Sequence, residues 1–115
     1  MIIATFKEDG EKIVLDVTGH SGRAKHGEDI ICAGASTLAY TVAQTMRFMY
    51  EDGLLKKAPV FDMHSGDAHI EAEPIAEFHN EALHTFYVAQ VGFNLLAHNF
   101  PKNVTLISFG EAEKA

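Results

Sequence analysis

Thiol chemistry is almost missing from this chain, because Cys32 is its only cysteine. A single cysteine cannot close an internal disulfide, nor can it supply the paired thiolates of a structural zinc site. A reducing, cytoplasmic setting is therefore expected. Long apolar runs are missing too. Each hydrophobic stretch breaks well before the roughly 20 residues that span a bilayer, so a soluble protein without a membrane partner is expected. The opening MIIATFKEDG is briefly apolar and then charged, unlike a signal peptide. Basic charge is scarce as well: 9 lysines and arginines stand against 16 aspartates and glutamates, for a formal net charge of −7. A nucleic-acid binder needs a basic face to displace counterions from phosphates, so direct nucleic-acid binding is disfavoured. The acidic balance favours solubility, and it is compatible with a basic protein partner.

What the chain does contain suffices for one domain, 1–115. Its apolar content of 47% belongs to a folded globular protein with a single core. Ile2 to Phe6 and the alternating Ile13, Leu15 and Val17 read as a hairpin turning at Glu8-Asp9-Gly10. From Ile30 to Tyr50, Leu38, Val42, Met46 and Met49 recur at helical spacing, with Asp29 at the N-cap and Asp52-Gly53 near the end. Val60 to Met63 and Ala68 to Ala72 form a second hairpin through His64-Ser65-Gly66-Asp67. A second helix runs from about Ile75 to His98, with Phe78, Leu83, Phe86, Val91 and Leu95 as its apolar stripe. Pro101 stops it before a last strand over Val104 to Phe109. The β-β-α-β-β-α-β order implies an α+β, two-layer sandwich, with two helices packed on a mixed or antiparallel sheet. Phe48, Tyr50, Phe78, Phe86, Tyr87 and Phe93 are expected mainly in the core, and an apolar excess in so small a domain permits a homodimer.

Chemistry concentrates in GHSGRAKHGEDIICAGAS, residues 19–36. If the first helix begins after Asp29, Cys32 lies in its first turn. The unpaired N–H groups and positive dipole end there favour an anion such as a thiolate. His20, at the end of a strand, is the candidate base, and Gly19, Gly22 and Gly27 give the chain the freedom to fold back over the helix start. Asp29 is read as a cap in preference to a third catalytic member that orients His20. Ser36 either hydrogen-bonds within the site or bonds its own helix backbone. The segment from Ser21 to His26 is a candidate lid, and its Arg23 and His26 are candidates for touching substrate.

The string Gly19-His20, Gly22, Gly27, Asp29-Ile30, Cys32-Ala33 and Ser36 closely resembles the signature of the Prp family, the ribosomal-processing cysteine proteases of bacteria. Length, element order and the late Pro101-Lys102 before a final apolar strand also look like that family. The resemblance implies a cysteine endopeptidase with a Cys–His dyad, Cys32 as nucleophile and His20 as general base and acid. It implies a substrate too: the N-terminal extension of a large-subunit ribosomal protein, cut after an aromatic residue, or alternatively a phage capsid or scaffold protein. It supports a homodimer.

Other signals fail. Gly22-x4-Gly27 is followed by Glu28-Asp29, where a phosphate-binding loop needs Lys and Ser or Thr. His79 and His84 are five apart, not the four of a zinc helix, and with His64 and His69 they read as surface histidines; neither a metal nor a cofactor is expected. Two rival readings stand beside the protease. One is an interaction module with a buried Cys32; the other is a thiol redox sensor, weakened by the lack of a resolving cysteine.

Overall fold

The computed structural model describes residues 1–20 and 29–111. Gly22, Arg23, His26 and Gly27, with the rest of the expected lid, lie outside the described residues. The elements come in the expected order: β1 (Ile2–Asp9), β2 (Lys12–Thr18), α1 (Ile30–Glu51), β3 (Val60–His64), β4 (Asp67–Ala72), α2 (His79–Asn99) and β5 (Val104–Ile107). The second helix is entered through a 3-10 turn, Ala76–Phe78. The five strands form one mixed sheet in the order β3-β4-β2-β1-β5, with β1 and β5 parallel and the other pairs antiparallel.

Period-two alternation decides which face of the sheet is buried. Ala4, Phe6, Leu15, Val17 and Ile70 point to one side and are buried in the core with the helices. The registers Phe6↔Leu15, Ala4↔Val17 and Leu15↔Ile70 place these residues side by side. Phe6 meets Phe93 of α2 edge-on, with ring centroids 5.8 Å apart, and it meets Phe109 at 5.6 Å. Such tilted contacts add to the area these rings bury.

The stripes the helices bury differ in part from those expected. α1 buries Ala35, Ala39, Val42 and Met46, while α2 buries Ala82, Phe86, Ala89 and Phe93. Val91 and Leu95, expected on the α2 stripe, are 46% and 58% exposed. Each lies two residues from a buried position, about 200° round the helix, and so faces outward. The same offset explains Phe48, two beyond Met46, and Tyr87, two before Ala89. Both are exposed, as is Tyr50 in the last turn of α1, so the aromatics divide between core and surface. Small alanines on the true stripes let the helices sit close to the sheet.

On the other sheet face the register Asp16↔His69 brings a carboxylate against an imidazole. That hydrogen bond holds His69 above the usual histidine range; burial opposes it, and the Asp16 and Glu71 charges reinforce it. Because the folded value is raised, the contribution is fully present below the unfolded value of about 6.5 and is lost as pH rises through the folded one.

Two outcomes are expected. Phe93→Ala should cost about 3–5 kcal/mol in urea unfolding, since it opens a cavity under Phe6. Asp16→Asn should destabilise the fold most in mildly acidic buffer, with the difference from wild type fading as pH rises past the His69 titration; denaturant midpoints across pH 5 to 9, roughly bracketing that titration, measure it.

Candidate active site

α1 starts where it does because of Asp29. Its backbone is extended, and its Oδ1 accepts the Ile31 N–H at 2.9 Å and the Cys32 N–H at 3.3 Å. Its carbonyl accepts the Ala33 N–H at 3.0 Å. Two of the helix's orphan donors are thereby satisfied by one side chain, and the same residue's carbonyl accepts the first intrahelical bond. Cys32 falls in the first turn, as its spacing from Asp29 requires, and is half-buried. A cysteine sealed in the core is therefore not what the fold contains.

Asp29 does more than cap. It is only 6% exposed, and its Oδ2 accepts a hydrogen bond from the Cys32 thiol at 3.4 Å. A carboxylate so deeply placed needs donors on both oxygens, and here the helix backbone supplies one side and the thiol the other. The first-turn N–H groups that the sequence offers to an anion are thus already engaged by Asp29. The donor of Cys32 makes the longest of these bonds.

His20 arrives from the opposite direction. β2 ends at Thr18, and Gly19 then takes φ +91°, a left-handed conformation that glycine adopts without strain. A Cβ on Gly19 would stand 2.0 Å from the Met1 carbonyl oxygen. The turn thus needs glycine both for its angle and for its space. The Gly19 N–H donates to the Gly66 carbonyl at 2.8 Å, tying the strand end to the β3–β4 hairpin.

A cleft of about 240 Å³ lies between the end of β2, the start of α1 and that hairpin. Gly19, His20, Cys32 and Ser36 all line it. Its apolar lining combines Val17, Ala35, Ala39 and Ala68 with the larger Ile2 and Met63. Two contributions were not assigned to the site from the sequence. Tyr40, two turns beyond Cys32 on α1, forms part of the wall, and its helical spacing from Cys32 and Ser36 was the available signal. The hairpin residues Met63 to Ala68 close the other side, and no local pattern in the chain ties them to Cys32.

Of the other described histidines, His64 also lines the cleft and pairs with Asp62 at 2.6 Å, while His79 pairs with Glu8 at 2.9 Å and His84 stacks on Tyr87. Among the described residues no three His, Cys, Asp or Glu side chains gather as metal ligands.

The two duties of Asp29 can be separated. Asp29→Ala should lower stability by about 1–2 kcal/mol, the usual range for a lost N-cap, whereas Asp29→Ser keeps a capping oxygen and should recover most of it. Thermal unfolding of the two variants beside wild type reads the difference.

The same architecture occurs in solved structures. The chain is similar to the essential ribosomal processing protease Prp from S. aureus in complex with a covalently linked product peptide, with a TM-score of 0.69 and 21% identity over 94% of this chain and 99% of that one. The S. aureus protease with a substrate peptide gives 0.65 and 20%, again over 94% and 99%. SMU.848 from Streptococcus mutans gives 0.65 and 24%, over 95% of this chain and 94% of that one. At such identities these likenesses establish the fold. No curated protein matches the chain. The family model of the cysteine protease Prp matches residues 1–105, nearly the whole chain, and the chain belongs to that family of cysteine proteases.

Proposed function

We propose that this cysteine protease removes the N-terminal extension of a large-subunit ribosomal protein, cutting after an aromatic residue, with Cys32 as nucleophile and His20 as general base and acid. The observation that carries the assignment is that Cys32 and His20, from separate elements, line one cleft. In the reaction His20 takes the thiol proton and Cys32 sulfur attacks the scissile carbonyl. His20 then protonates the departing amine, and water activated by the same imidazole hydrolyses the thioester. The negative charge on the attacked oxygen forms beside the start of α1, where the positive end of the helix dipole favours it.

The apolar lining supports a large, flat residue on the acyl side of the scissile bond, because Ala35, Ala39 and Ala68 leave room beside Ile2 and Met63 that bulkier residues would fill. The net charge of −7 supports a basic substrate, whose approach it accelerates. Two further parts of the reading are a homodimer, supported by exposed apolar side chains such as Val88, Val91 and Leu95 on α2, and a cytoplasmic setting, supported by the lone cysteine.

The test is cleavage of a basic protein carrying an aromatic-ended N-terminal extension, read by intact mass. Wild type should make a single cut after the aromatic residue. Cys32→Ser should make none, and His20→Ala should slow the cut by roughly 10²–10⁴-fold. Undiminished cutting by Cys32→Ser would remove Cys32 from the mechanism.

A further inference from the structure

We propose that the tip of the β3–β4 hairpin is the seat of the His20 imidazole, which makes Gly66 a positioning residue of the active site. The inference rests on the assignment of His20 as the base. Two contacts carry it, one to the ring and one to the backbone. A Cβ built on Gly66 would lie 2.5 Å from His20 Nε2, 3.1 Å from Cε1 and 3.2 Å from Cδ2. The far edge of the ring therefore packs onto the bare Cα of Gly66, in space that any side chain would occupy. The Gly66 carbonyl also accepts the Gly19 N–H at 2.8 Å, so the residue before His20 is tied to the same turn.

The hairpin is placed to hold this position. Its turn has two residues, Ser65 and Gly66, with Gly66 at φ +75°. Asp67 pairs with His64 on one side and with Thr18 on the other, so the turn cannot shift without moving β4 against β2. Ser65 and Gly66 also line the cleft. A peptide lying there touches the same turn that seats the base, which couples substrate occupancy to base placement. Errors of about 1 Å in such placement cost roughly 10²-fold in rate.

Gly66 is under two separate demands, and they can be tested apart. Its left-handed backbone tolerates asparagine better than other side chains, whereas the ring contact tolerates no Cβ at all. Gly53 supplies the matched control: it has φ +78° and nothing within 4 Å of a built Cβ. Gly66→Asn and Gly53→Asn therefore carry a similar backbone cost, and only the first meets His20. Because the obstructed group is the end of a rotatable side chain, the ring should move and the fold should survive.

Wild type and the two variants would be compared by thermal unfolding, by kcat and KM on the basic protein with the aromatic-ended extension, and by ¹H–¹⁵N spectra of the histidine rings. The His20 resonances are identified by their loss in His20→Gln. The expected result is a kcat lowered by roughly 10²-fold in Gly66→Asn, unfolding close to that of Gly53→Asn, and displaced His20 resonances. Gly53→Asn should keep the wild-type kcat and ring resonances. Equal kcat in the two variants, with His20 resonances unmoved, would overturn the seat. If wild type cleaves nothing, the proposed function fails on its own; displaced His20 resonances confined to Gly66→Asn still uphold the seat, and unmoved ones still refute it.

Discussion

The site depends on one buried carboxylate. Asp29 is nearly closed off from water, and such a group persists only where donors surround it. The start of α1 provides backbone N–H groups, and the Cys32 thiol donates to the second oxygen. The helix start, the depth of the cysteine and the direction of its sulfur are therefore consequences of satisfying one residue. The same carboxylate that starts the helix lies 3.4 Å from the Cys32 sulfur.

The other half of the site depends on the sheet. His20 follows β2, whose neighbours are β1 and β4, so the strand that delivers it sits in the middle of the sheet. The hairpin that walls the cleft is joined to β2 through β4. Cys32 is thus carried by the helix layer and His20 by the end of a strand in the sheet layer. Their approach is fixed by the packing of Phe6, Phe86, Phe93 and their neighbours between the layers. A loosened core would show itself at the cleft as well as in stability.

Much of the fold was legible from the chain. Strict alternation in Ile13, Leu15 and Val17 and helical spacing from Leu38 to Met46 gave element types and order, because each period reflects a single buried face. The stripe of α2 was harder to read. Val88, Val91 and Leu95 are as apolar as the residues that are buried, and composition cannot distinguish a covered face from an exposed one. The buried stripe there is half alanine, a residue that carries little hydrophobic signal. Phe48, Tyr50 and Tyr87 misled for the same reason: an aromatic side chain says how much it could bury, and only its angle round the helix says whether it does.

The sequence by itself determined the family motif, the element order and the place of Cys32, three residues past its cap. These are local matters, decided by spacing and by which side chains can cap or turn a backbone. Only the tertiary structure decided that Gly66 lies under the His20 ring, that Tyr40 and Met63 to Ala68 wall the cleft, and that the second oxygen of Asp29 turns to the thiol. Those contacts join residues from different strands and helices, or depend on which of two oxygens faces which donor. No pattern along the chain encodes them, because sheet register and layer packing create them.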